Sequence, residues 1–134
     1  MMLIIYRILI NFIYILSPLI ILIRLLKKKE DVHRFKEKIG FFRKKKINGN
    51  LIWFHGASVG ELQSIIPIIE KLEKNKKISQ ILITSNTLSS SKIIDKYKFK
   101  KVIHQFFPID QNLISKNFIN YWKPKMALFI DSEI

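Results

Sequence analysis

The chain has no cysteine among its 134 residues, which excludes a disulfide framework, a thiolate metal site and a cysteine nucleophile. Histidine is scarce: His33, His55 and His104 are scattered along the chain and argue against a histidine metal cluster. Glycine and proline number four each, too few for a collagen-like or low-complexity chain, and an apolar fraction of 49% rules out disorder. Acidic residues are also few. Ten Asp and Glu stand against 24 Lys and Arg, a formal net charge of +14. Alanine (2) and arginine (4) are rare beside isoleucine (27) and lysine (20), a skew that fits an AT-rich genome. The positive charge on its own therefore names no partner.

What is present is unevenly placed. Between Arg7 and Arg24 lie 16 uncharged residues, Ile8 to Ile23. As helix they cover roughly 24 Å; Leu3 to Leu26, with both arginines snorkelling toward headgroups, would cross a hydrocarbon core about 30 Å thick. No small-residue cleavage site follows; Lys27, Lys28 and Lys29 do. Residues 1–26 are expected to form a membrane anchor, spanning or deeply embedded. Residues 27–50 are expected to be a basic juxtamembrane segment, with ten Lys/Arg and three acidic residues between Lys27 and Lys46. That excess places the following domain on the cytoplasmic side, against an anionic membrane surface. No RNA or DNA motif accompanies the cluster, so nucleic acid is not an expected partner.

After the turn signal Asn48-Gly49-Asn50 the texture changes. Apolar runs at 51–55, 80–85, 101–106 and 126–131 read as strands, and helical spacing connects them: Leu62 to Leu72, a stretch ending about Lys98, and Leu113 to Trp122. Strands alternating with helices predict an α/β fold with a parallel sheet. The fourth strand is expected to be buried, and it leads directly into Asp131-Ser132-Glu133-Ile134. In an open parallel sheet a helix should come next, so a half-built, truncated domain is expected.

Gly56 to Glu61 joins the first strand to its helix, where small residues admit a ligand and helix-start N–H groups favour anions. The loop matches neither a Walker A sequence nor a dinucleotide fingerprint. Two starts for the following helix are open. Ser58-x-x-Glu61 fits a capping box, but it would leave Pro67 well inside the helix at a cost of roughly 3 kcal/mol. A start near Ser64 would put Pro67 in the first turn and release Glu61 for chemistry. Glu133 holds the same topological position after the fourth strand, as a solvated or capping carboxylate or as a second acid facing the same cleft. A partly desolvated carboxylate there could act as a general base. His55 and His104 read as packed or hydrogen-bonded loop residues.

The segment Leu51-Ile52-Trp53-Phe54-His55-Gly56-Ala57-Ser58-Val59-Gly60-Glu61 resembles the hallmark of the Kdo (3-deoxy-D-manno-octulosonic acid) transferases, bacterial inner-membrane glycosyltransferases of lipopolysaccharide core biosynthesis. The resemblance continues through Arg34 to Gly40, Ile81 to Ser89, His104 to Asp110, and Trp122-Lys123-Pro124 before Asp131-Ser132-Glu133-Ile134. Gly56 stands where the family usually has Ala, Ser85-Asn86 where Thr is commoner, and Asp131 where Glu is usual. The family has two Rossmann-like domains in the GT-B arrangement. The resemblance therefore implies an N-terminal membrane helix followed by an incomplete Rossmann-like parallel sheet over 51–134, the acceptor domain, with the C-terminal donor domain absent.

It further implies an inverting transfer of Kdo from the donor CMP-Kdo to a lipid A precursor, with no metal and no cofactor. Glu61 matches the proton acceptor and Glu133 a transition-state stabiliser. Arg34, Lys36, Ser58 and Gly60 are expected to contact the acceptor glycolipid. The implied location is the bacterial inner membrane, cytoplasmic side, and residues 1–134 alone are expected to be inactive. A noncatalytic, membrane-tethered α/β binding module is the alternative.

Overall fold

The apolar run at the start forms one helix, α1 (Met2–Leu26), of 25 residues with Pro18 inside it. It is long and apolar enough to cross a membrane. The computed structural model describes residues 2–42 and 44–131. After α1 a short 3-10 helix, Phe35–Ile39, is ended by Gly40 at φ 96°, a left-handed position that suits glycine.

The sheet is built from β1 (Leu51–Gly56), β2 (Gln80–Ser85), β3 (Val102–Phe106) and β4 (Met126–Ile130). Between them run α2 (Val59–Lys74), α3 (Leu88–Lys96) and α4 (Asn112–Trp122). The strand order is β3-β2-β1-β4 and every pairing is parallel. The register sets Leu51 opposite Gln80, Ile52 opposite Met126, and Ile81 opposite Val102. All four expected strands and the three helices between them are present, with ends moved by at most three residues.

Alternating strand positions feed two cores, one on each sheet face. Phe54, Ile81 and Ile83 pack under Leu62, Ile65, Ile66 and Ile69 of α2 and Ile94 of α3. On the other face Leu51, Trp53 and Leu82 meet Phe118 and Trp122 of α4. With helices on both sides, all six residues of β2 are buried, which fits the unbroken Ile81-Leu82-Ile83 at its centre.

One expectation is corrected, and one of the two open helix starts is excluded. The fourth strand is not buried: Met126, Leu128 and Phe129 are 54%, 42% and 59% exposed. β4 is an edge strand paired on one side to β1, and the packed helices cover the β1–β3 side. Nor does α2 start near Ser64. It starts at Val59 with Ser58 as N-cap, and Pro67 sits inside it. Pro67 removes one helix hydrogen bond, at about 3 kcal/mol. Starting at Val59 adds the buried Leu62, at about 1.5–3 kcal/mol, and the Ser58 cap, at about 1 kcal/mol, which together offset that loss.

Candidate functional site

Going outward from β1, the chain turns one way through β2 to β3 and then returns to place β4 on the other side of β1. The carboxyl ends of β1 and β4 therefore flank the switch point of the sheet, where open α/β folds place their ligands. Gly56 lies opposite Ile130 at that point. A Cβ on Gly56 would lie 2.8 Å from Leu62 Cδ2, so glycine lets α2 pack close behind the loop.

Glu61 is held by a complete capping box. Its Oε2 accepts from the Ala57 N–H at 2.6 Å, and its Oε1 accepts from Ser58 Oγ at 2.9 Å. The Ser58 hydroxyl accepts in turn from the Glu61 N–H at 3.3 Å. The box orients the carboxylate at the carboxyl end of β1, beside the switch point. Ser58, the N-cap, and Gly60, in the first turn of α2, are both exposed, and an added Cβ on Gly60 would meet nothing within 4 Å. Glu133 lies outside the described residues.

His55 is part of β1 rather than of a loop, half-buried at its carboxyl end. Trp53 Nε1 donates to Thr84 Oγ1 at 2.8 Å, and Thr84 Oγ1 lies 2.9 Å from His55 Nδ1. The threonine hydroxyl has a longer alternative, the Phe54 carbonyl at 3.4 Å. The direction of the Thr84–His55 bond follows the tautomer of the ring: the hydroxyl donates to a bare Nδ1, or accepts from Nδ1–H and donates to the Phe54 carbonyl. The ring packs 4.1 Å from Phe107 and 5.5 Å from Phe129. Burial holds its pKa below the usual histidine value, opposed by a hydrogen bond to the Thr84 backbone and by the negative charge of Glu61. Thr84, Phe107 and Phe129 were not legible as its partners, because sheet register brings them together.

The basic segment is folded against the same edge of the sheet. Arg34 pairs with the buried Glu37 through Nε at 2.9 Å, and Arg34 Nη2 donates to the His104 carbonyl and to His104 Nδ1, each at 2.9 Å. Because arginine can only donate, His104 Nδ1 accepts and its Nε2–H is donated to Ser85 Oγ at 2.7 Å. Glu37 Oε2 also accepts from the Phe106 N–H at 2.8 Å. His104, read as a loop residue, is a buried member of β3. Its pKa is pushed down to about 3 by burial first, then by the positive charges of Arg34 and Lys44. Lys38 bridges Glu30 at 2.7 Å and the Asn86 carbonyl at 3.1 Å, just past β2. Lys36 is exposed on this segment. Sequence reasoning missed the acidic members, Glu30 and Glu37; the Arg34–Glu37 spacing of three was the available signal.

Comparisons with known proteins agree with this geometry. The family model for 3-deoxy-D-manno-octulosonic-acid transferase (kdotransferase) matches residues 33–134. The 3-deoxy-D-manno-octulosonic acid transferase of Rickettsia bellii is 40% identical over 124 residues, 90% of this chain and 30% of the relative. A protein of Arabidopsis thaliana named "Probable 3-deoxy-D-manno-octulosonic acid transferase, mitochondrial" is 34% identical over 133 residues, covering 97% and 30%. The transferase of Haemophilus influenzae is 28% identical over 130 residues, covering 90% and 29%. The chain thus spans less than a third of the length of these relatives. No solved structure gives a significant match. With the family model covering most of its length and the hallmark loop placed at the switch point of a parallel sheet, this chain belongs to the 3-deoxy-D-manno-octulosonic-acid transferase family.

Proposed function

We propose that the chain is the acceptor-side portion of a glycosyltransferase that moves Kdo from CMP-Kdo to a lipid A precursor in lipopolysaccharide synthesis. The observation that carries this reading is the position of Glu61. Its carboxylate stands at the carboxyl end of β1, oriented by Ala57 and Ser58. In the proposed reaction Glu61 takes the proton of an acceptor sugar hydroxyl as that oxygen attacks the anomeric carbon of Kdo. The bond to the CMP phosphate breaks and the configuration inverts. Glu133 supplies negative charge near the oxocarbenium-like centre, and the donor is held mainly by chain length that the relatives have beyond this portion.

The phosphorylated acceptor meets the exposed Lys36, Ser58 and Gly60. Arg34, whose guanidinium is engaged by Glu37 and His104, serves the acceptor by holding the basic segment at the sheet edge. The protein works at the cytoplasmic face of the bacterial inner membrane, to which α1 and the lysines attach it.

Glu61→Gln tests the reading. In a chimera completed with the remaining length of the Rickettsia bellii relative, the variant should lose 10²–10⁴-fold in transfer rate, the usual contribution of a general base, with acceptor binding unchanged. Transfer retained within a few-fold would remove Glu61 from the role of base.

A further inference from the structure

α1 touches the rest of the protein near both of its ends. Close to its start the Tyr6 hydroxyl donates to Asp110 Oδ2 at 2.5 Å, and Arg7 and Asn11 line a hollow with Asp110 and Asn112. Midway, Ser17 and Ile21 are buried, beside a hollow shared with Ile109. Close to its end Arg24 Nε donates to Glu30 at 2.6 Å, and Glu30 also holds Lys38. These contacts all belong to one folded body, since the Ile109 N–H donates to the Lys38 carbonyl at 2.8 Å.

The 18 residue steps from Tyr6 to Arg24 make about 27 Å of helix, close to the full hydrocarbon thickness of about 30 Å. A helix standing along the membrane normal would carry Asp110 and its irregular loop across that thickness. Lipid cannot satisfy the polar backbone of such a loop. A helix lying along the surface keeps every one of these contacts in water.

The opposite face of α1 is apolar along its length. Ile8, Phe12, Ile15, Leu19, Leu22 and Leu26 recur at intervals of three and four and are 53–76% exposed. Lys27 to Lys29 follow directly, and Lys44 to Lys46 lie further along the basic segment. We propose that α1 lies in the plane of an anionic lipid bilayer, with this stripe among the acyl chains and the lysines against the headgroups. Both ends of α1 and the sheet domain are then on one side of the membrane. The inference rests on the membrane attachment proposed above and fixes its geometry. The chain Arg24–Glu30–Lys38–Asn86 ties the helix to the carboxyl edge of the sheet, which holds the switch-point crevice at headgroup level.

The absence of native cysteine makes single-cysteine labelling clean. Met2→Cys, Lys29→Cys and Lys76→Cys, each at an exposed position, would be expressed separately in bacteria and treated with a membrane-impermeant maleimide. All three should react at least tenfold faster in inverted membrane vesicles than in spheroplasts. Position 2 reacting faster in spheroplasts while 29 and 76 react faster in inverted vesicles would show a spanning helix and overturn the proposal. In isolated membranes a short bis-maleimide should cross-link the pair Tyr6→Cys and Asp110→Cys. Failure to cross-link, with each single variant reactive, would also overturn it. Recovery of the chain in the cytosol rather than in membranes would instead overturn the attachment itself.

Discussion

Ser58 and Glu61 hydrogen-bond in both directions through one hydroxyl, which accepts from the Glu61 N–H at 3.3 Å and donates to Glu61 Oε1 at 2.9 Å. The same pair thus starts α2 and aims the carboxylate. Ser58→Ala should lower stability by about 1 kcal/mol, read as a lower urea midpoint, whereas Ser58→Asn, which still caps, should stay near wild type. An unchanged midpoint for Ser58→Ala would mean that the box contributes nothing to the fold.

Gly60 separates stability from ligand contact. It sits in the first turn of α2 with open space where a Cβ would go. Gly60→Ala should therefore raise stability, by up to about 1 kcal/mol, while weakening binding of a lipid A precursor if the glycolipid packs on this loop. Calorimetric binding that is unchanged in the stabilised variant would take Gly60 out of the acceptor site.

Glu37 is 1% exposed and holds both Arg34 and the Phe106 N–H. Glu37→Ala leaves a largely buried guanidinium and a backbone donor without this partner, so it should cost about 3–5 kcal/mol. Glu37→Gln keeps an acceptor for Phe106 and should cost less. Equal losses for the two variants, measured by denaturant unfolding, would show that the carboxylate charge is irrelevant.

His104 makes stability depend on pH. Its folded pKa of about 3 lies below the unfolded value of about 6.5. Between those limits the unfolded chain binds a proton that the native state refuses, so stability is full above about pH 6.5 and falls as pH drops toward 3. From pH 7.5 to 5 the wild type should lose about 2 kcal/mol more than His104→Gln. Parallel urea midpoints for the two proteins across that range would show that His104 titrates normally.

The sequence by itself determined the element order. Short apolar runs and helical apolar spacing, punctuated by Asn48-Gly49-Asn50 and Pro124, are local properties that backbone geometry enforces residue by residue. It also determined the hallmark loop and the placement of Glu61 just beyond a strand. Tertiary structure decided the rest, because each outcome depends on what is packed nearby. The start of α2 went to Ser58 since the Ser58–Glu61 box and burial of Leu62 offset the Pro67 penalty. The apolar Met126–Ile130 became an exposed edge because strand order, which no local pattern encodes, put it outside β1. Arg34 and Lys38 read as part of a basic segment facing the membrane, Arg34 as an acceptor contact. Their pairing with Glu37 and Glu30, and contact with His104 and Asn86, required the basic segment to fold back across residues distant in sequence.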